Sequence, residues 1–279
     1  MEKTAILNAY NTIREKCPLV HCITNYVTVN DVANAILAIG ASPIMADDIN
    51  EAADITSISS ALAINMGTLN SRTVESMISA GKSANKNKIP VVFDPVGAGA
   101  SIFRNETAKN ILEQINVDVL RGNLSEISFI AGLDVKTKGV DSSIEIKCKD
   151  DEKKAIEIAK SAARKFNCIT AITGKVDIIT DGRKVFTIEN GVQLLSKVTG
   201  TGCMTTGITA GFASLSKNKY ELLLNTCAGI SAMGIAGEIA FEMYAKLGTG
   251  SFRVGIIDAL SKLNSEVISE RIKIYEKNN

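Results

Sequence analysis

Val198-Thr-Gly-Thr-Gly-Cys-Met-Thr-Thr-Gly207 packs three glycines and four threonines into ten residues without a charge. It opens an uncharged run that continues to Ser216, and the reading of that run decides the class of the protein. Val198–Ser216 is long enough to span a bilayer, but it holds five threonines and four glycines. That composition suits a tight glycine turn feeding a helix buried in protein, where small residues allow close packing. A second uncharged run, Leu222–Gly237, is too short to span and equally rich in Gly and Ala. The free N–H groups at the start of a helix, with no side chains in the way, form a site for anionic oxygens. Cys203 stands at the mouth of that helix, where the local field is expected to lower its thiol pKa. An anion hole beside an ionisable side chain points to phosphoryl transfer rather than simple binding.

Upstream of this turn, short apolar runs alternate with longer helical patterns. The predicted strands are Leu19–Ile23, Pro43–Met45, Ala61–Asn65, Val91–Phe93, Val117–Leu120, Cys168–Ile172 and Asp177–Thr180. Between them, helical periodicity covers Val29–Ile39, Ser71–Lys86, Phe103–Ile115 and Asp151–Phe166. Repeated strand–helix units imply an α/β fold with a mostly parallel sheet and helices on both faces. Ligands in such sheets bind beyond the carboxyl ends of the strands. Downstream, three helices are expected at Cys203–Leu215, Tyr220–Lys246 and Ser251–Tyr275. No linker or composition break is visible, so residues 1–279 read as a single domain. The polar segment Leu133–Lys149 reads as a surface excursion or a lid.

The bulk composition narrows the function. Lys+Arg 31 against Asp+Glu 30 leaves no basic excess, and there is no Trp, so nucleic acid is not an expected partner. Cysteines at 17, 22, 148, 168, 203 and 227 form no CxxC pair, and His21 is the only histidine to join them, which argues against a zinc site. The first sixteen residues mix charges with apolar positions and do not read as a signal peptide. Free cysteines without an export signal point to the cytoplasm, and neither uncharged run is expected to enter a membrane.

Four segments place polar groups at strand ends. In Val91-Val-Phe-Asp-Pro-Val-Gly-Ala-Gly99 an apolar strand ends in Asp94, which is either a turn cap or a site carboxylate. In Arg121-Gly-Asn-Leu-Ser-Glu126 the interval from Asn123 to Glu126 matches a capping box. The same Glu126 could serve magnesium, which favours oxygen ligands and retained water, and the planar fork of Arg121 suits phosphate. Thr173-Gly174 ends another strand; a hairpin turn is the simpler reading, with Thr173 able to touch a nucleotide phosphate. Near the N-terminus, Thr24-Asn25 follows a strand in which His21 reads as a satisfied core residue, and Met45 ends the next strand. There is no GxxxxGK[ST], no GxGxxG after the first strand and no GxSxG, which excludes a P-loop kinase and weakens dinucleotide and hydrolase readings.

Taken together and in order, Cys22-Ile-Thr-Asn-Tyr-Val-Thr-Val-Asn-Asp31, Pro43-Ile-Met-Ala46, Asp94-Pro-Val-Gly-Ala-Gly99, Arg121-Gly-Asn-Leu-Ser-Glu126 and Val198-Thr-Gly-Thr-Gly-Cys203 resemble the hydroxyethylthiazole kinases of the ribokinase-like superfamily. The resemblance runs from about Ile6 to Leu263. It implies an ATP- and Mg²⁺-dependent phosphorylation of the primary hydroxyl of 4-methyl-5-(2-hydroxyethyl)thiazole, a step of thiamine salvage. It also implies that Met45 and Gly200 contact the thiazole, that Asn25 lies near its hydroxyethyl arm, and that Arg121, Thr173 and Thr199 serve ATP. Asp94 and Glu126 would orient the metal–phosphate complex, largely through water, while Thr201, Gly202 and Cys203 would form the transfer end. A homotrimer with sites between subunits follows from the same resemblance. The wider superfamily usually carries an aspartate base where this chain has Cys203. The alternatives are a kinase for a hydroxymethylpyrimidine or pyridoxal-like alcohol, a nucleotide- or thiamine-sensing protein without turnover, and an enzyme with a nucleophilic cysteine.

Overall fold

The computed structural model describes residues 2–133 and 149–277. Cys148 and the polar segment read as an excursion or lid, apart from its end residues Leu133 and Lys149, lie outside the described residues. The chain begins with helix α1 (Glu2–Lys16) and then alternates β1 (Leu19–Ile23), α2 (Val29–Ala38), β2 (Ser42–Met45), α3 (Ala52–Ser57), β3 (Ala61–Asn65), α4 (Ser71–Asn87) and β4 (Val91–Asp94). It continues through α5 (Ile102–Gln114), β5 (Val119–Gly122), α6 (Leu124–Ala131), α7 (Lys149–Phe166) and β6 (Ile169–Ile172). The described residues form one nine-stranded sheet in the order β2-β1-β3-β4-β5-β6-β7-β8-β9. The first six strands run parallel. β7 (Asp177–Thr180), β8 (Val185–Ile188) and β9 (Ile274–Lys277) extend the sheet antiparallel.

The parallel strands are apolar on both faces because helices cover both. Along β3, Ala61 and Ala63 join one core with Ile13, Ile36 and Phe212, whereas Leu62 and Ile64 join the other with Met77, Ala80 and Ile111. This period of two places α1, α2, α8 (Thr201–Ala213) and α9 (Lys219–Tyr244) on one side and α4, α5, α6 and α7 on the other. Local sequence sets the helix starts: the side chains of Asn70 and Ser101 accept from Thr73 N and Arg104 N at the heads of α4 and α5. The capping box from Asn123 to Glu126 is present as expected.

Both uncharged runs are core helices. α9 is long and apolar enough to cross a membrane by length and composition, yet 89 % of its most apolar window is buried within the fold. Its small residues make this possible: a Cβ on Gly229 would lie 2.7 Å from the Thr209 backbone in α8.

Two expectations needed correction. The helix predicted over Ser251–Tyr275 is α10 (Thr249–Lys262), then α11 (Ser265–Arg271), then β9. Leu263 is extended, and Asn264 caps a new helix by accepting from Val267 N, so the pattern restarts there. β9 then pairs along β8, a partner far away in sequence that local periodicity cannot reveal. β8 itself was not predicted; its four residues follow directly on the Gly182 turn.

Candidate active site

The carboxyl ends of β1, β3, β4, β5 and β6 meet the N-terminus of α8, and the polar residues at these ends form one cluster. At its centre, Asp94 ends β4 completely buried. Its Oδ2 accepts from Asn65 Nδ2 at 2.8 Å, Thr206 Oγ1 at 2.7 Å and Arg121 Nη1 at 3.1 Å. Its Oδ1 is buried with no hydrogen-bond partner. An orphaned carboxylate oxygen is costly in a protein interior. Among the described residues, the Asp94 side chain accepts only from other side chains and caps no turn.

Arg121 projects from β5 and is almost buried, with Nη2 donating to Thr173 Oγ1 at 2.6 Å. Glu126 lies beside it at the head of α6; its Oε1 accepts from Gly97 N and its Oε2 from Asn123 N, each at 2.8 Å. The cap reading of Glu126 is thus realised, and the same side chain also holds the Asp94–Gly99 loop. Thr173 follows β6 in the expected hairpin, where Gly174 N donates to Asp177 Oδ1 at 2.9 Å.

The charges around Arg121 do not balance. Burial pushes the Glu126 carboxyl up to about 7, with the negative charge of Asp94 adding to the rise and the Gly97 and Asn123 N–H bonds opposing it. Burial also raises Asp94, against the pull of Arg121, Thr206 and Asn65. Asp177 is pushed up to about 7 by burial, opposed by Gly174 N–H and Arg121. Buried carboxylates that outnumber the nearby cation, together with a free Asp94 oxygen, suit an added cation. No group of three or more His, Cys, Asp or Glu residues converges into a ready metal cage among the described residues. The donor set therefore fits a largely hydrated Mg²⁺ that takes its other ligands from substrate phosphates.

The glycine turn meets this cluster from the opposite side. Gly200 caps α8 with φ +88°, and a Cβ there would lie 2.6 Å from Thr28 Cγ2, so glycine is required by both conformation and space. The first α8 bond runs from Met204 N to Gly200 O, leaving the N–H groups of Thr201, Gly202 and Cys203 without acceptors among the described residues. Gly202 sits against Arg121: a Cβ there would be 3.0 Å from Nη1.

Cys203 is buried, and Asn25 Nδ2 lies 3.8 Å from its Sγ. Its thiol pKa is raised, not lowered as expected. Burial is the main cause, the charge of Asp94 adds to it, and hydrogen bonds to Thr28 and Asn25 and the charge of Arg121 only partly offset them. The helix end therefore does not make this thiol a ready thiolate at neutral pH.

The remaining candidate positions are more peripheral. Met45 is half-buried at the end of β2, opposite Cys22 of β1. Thr199 is exposed just before the turn and makes no hydrogen bond among the described residues. His21 is a satisfied core residue: Nε2 donates to Ala46 O and Nδ1 lies 2.7 Å from Thr56 Oγ1, each ring nitrogen being occupied. Asn65, Thr206 and Asp177 belong to the cluster but were not singled out from the sequence. A polar residue ending β3 and a threonine one helical turn beyond the glycines were the available signals.

The chain is similar to known proteins along most of its length. The pattern of the hydroxyethylthiazole kinase family matches residues 10–266. A hydroxyethylthiazole kinase of Clostridium beijerinckii is 58 % identical over 266 residues, covering 95 % of each chain. The solved structure of a hydroxyethylthiazole kinase protein from Pyrococcus horikoshii superposes with a TM-score of 0.87 at 40 % identity, covering 98 % of this chain and 99 % of that one. A pyridoxal kinase from Staphylococcus aureus, solved with AMP-PCP and pyridoxal, shares the fold alone: TM-score 0.58 at 14 % identity, over 79 % of this chain and 87 % of that one.

Proposed function

The chain belongs to the hydroxyethylthiazole kinase family and has the ribokinase-like fold, and from that premise we propose how its residues move the terminal phosphoryl group of ATP to the primary hydroxyl of 4-methyl-5-(2-hydroxyethyl)thiazole. The observation that carries this reading is the junction of three unpaired N–H groups at the head of α8 with Arg121 and the orphaned Asp94 oxygen. The N–H groups of Thr201, Gly202 and Cys203 receive phosphoryl oxygens, and their dipoles favour the charge that spreads there during transfer. Arg121, steadied by Thr173 and Asp94, presents its guanidinium fork to the ATP phosphates, and Thr199 borders the nucleotide. Asp94 through its free oxygen, and Glu126 through the lone pairs its two N–H bonds leave over, would hold hydrated Mg²⁺. When bound, that ion neutralises phosphate charge.

The acceptor alcohol lies on the β1–β2 side, with Met45 and Gly200 against the ring and Asn25 toward the hydroxyethyl arm. Cys203 borders the reacting hydroxyl as a neutral thiol. A loose phosphoryl-transfer transition state needs little help from a base, so the thiol spaces and orients rather than attacks.

In this reading the chain works as one kinase domain in the cytoplasm, as a homotrimer with sites between subunits. Large apolar side chains left exposed support the assembly, among them Tyr26 and Val27 next to Asn25, and Phe241, Met243, Leu247 and Val254. Light scattering should give the mass of three chains; the mass of one chain would refute the trimer. Incubation with ATP, Mg²⁺ and the thiazole should release ADP in step with phosphorylated thiazole. Turnover no greater than in a metal-free control would overturn the functional reading.

A further inference from the structure

Arg104 stands in the first turn of α5, where the helix dipole disfavours a cation, and it has no carboxylate partner among the described residues. Its neighbours Ile102 and Phe103 are exposed, but the Arg104 side chain turns inward. Nη1 donates to Met66 O and to Val96 O, both at 2.6 Å, and Nη2 donates to Gly67 O at 2.7 Å. One guanidinium thus ties the loop after β3 to the loop after β4. Three loop carbonyls thus converge on one cation that stands against the local helix field.

Both loops lead directly to reacting groups. In the β4 loop, Val96 precedes Gly97, whose N–H holds Glu126 Oε1 at 2.8 Å. Gly97 has φ +74°, and a Cβ there would come within 3.1 Å of Arg104 Cδ, so the turn is folded directly onto the arginine. In the β3 loop, a Cβ on Gly67 would lie 2.4 Å from Asn25 Nδ2, so Gly67 backs the amide that faces Cys203. Gly67 N also donates to Asn65 Oδ1, whose Nδ2 holds Asp94.

We propose that Arg104 is a positioning residue for phosphoryl transfer, fixing the metal–phosphate carboxylates and the acceptor-side amide in a single register through three loop carbonyls. The role rests on the functional reading given above. A planar fork reaches the Met66, Val96 and Gly67 carbonyls from two nitrogens held in a fixed geometry, which the flexible point charge of a lysine ammonium does not reproduce. Slack of about 1 Å between donor and acceptor would be felt in the chemical step by about 100-fold, with less effect on nucleotide affinity.

The test is steady-state kinetics of Arg104→Ala beside the parent enzyme. The expected result is a kcat about 100-fold lower with KM for ATP within about threefold, and recovery of at least tenfold in kcat on adding millimolar guanidinium but not ammonium at equal ionic strength. A kcat within threefold of the parent would overturn the proposal. So would a loss that guanidinium does not restore and that tracks a fall in melting temperature. If Arg104→Ala does not fold, Arg104→Lys carries the test: kcat about tenfold lower at a near-parental melting temperature is expected, and an unchanged kcat overturns the role. A parent enzyme without thiazole-dependent ADP formation would instead refute the functional reading.

Discussion

Gly202→Ala tests the transfer end most directly. The added Cβ would stand 3.0 Å from Arg121 Nη1 and 3.4 Å from Nη2, tighter than most Cβ contacts, so the guanidinium must give by a few tenths of an ångström. It is not free to do so, because Nη1 is held by Asp94 at 3.1 Å and Nη2 by Thr173 at 2.6 Å. The displacement therefore weakens a charge-assisted hydrogen bond of about 2 kcal/mol and moves the fork off the phosphates, which predicts a kcat/KM for ATP about 30-fold lower. The same loss bears on stability: alanine favours the helix over glycine by up to about 1 kcal/mol, which offsets only part of it, so the melting temperature should fall slightly. ADP release, coupled to NADH oxidation and measured across ATP and thiazole concentrations, separates the two. A stable Gly202→Ala protein with kcat/KM for ATP within twofold of the parent would refute the placement of Arg121 on the phosphates. A defect confined to KM for the thiazole would refute it as well.

Three other perturbations have defined outcomes. Gly200→Ala forces a side chain into φ +88° and to within 2.6 Å of Thr28, so both melting temperature and turnover should fall, and a parental melting temperature would count against the strained turn. Cys203→Ser should retain measurable turnover, and kcat of the parent should not climb tenfold per pH unit between pH 7 and 9, because the thiol, kept protonated by burial and Asp94, serves in its neutral form. A log-linear rise with pH that disappears in the serine variant would make the thiolate indispensable. Asp177 has its carboxyl raised to about 7 by burial, so its contribution to stability is present at low pH and is lost as pH rises from the unfolded value of 3.8 through about 7. Asp177→Asn should accordingly show a flatter decline of melting temperature over that window, and an unchanged slope would dismiss the burial argument.

Much of this fold is legible in local chemistry. Apolar runs such as Val91–Phe93, each ending in a polar group, mark the parallel strands, and the strand–helix alternation requires cover on both faces. The capping box at Asn123 and Glu126 and the glycine turn at Gly200 depend only on near neighbours in the chain, so they too could be read from sequence. β9 could not, because its only partner among the described residues, β8, lies far away in sequence; β8 pairs with β7 across a short local turn and was missed because its four residues are too few to stand out.

The site divides along the same line. The residue types at the strand ends and the bare N–H groups of the glycine turn follow from sequence, since a strand end and a helix start are local events. Which of these groups touch is set by strand order: β3, β4 and β5 lie side by side, and so Asn65, Asp94 and Arg121 meet. Thr206 and Arg104 acquire their roles only when α8 and α5 pack onto those ends. The thiol of Cys203 shows the difference most plainly. A helix N-terminus by itself favours the thiolate, but tertiary packing buries the sulfur and sets Asp94 near it, and desolvation with like charge outweighs the field of a single helix end.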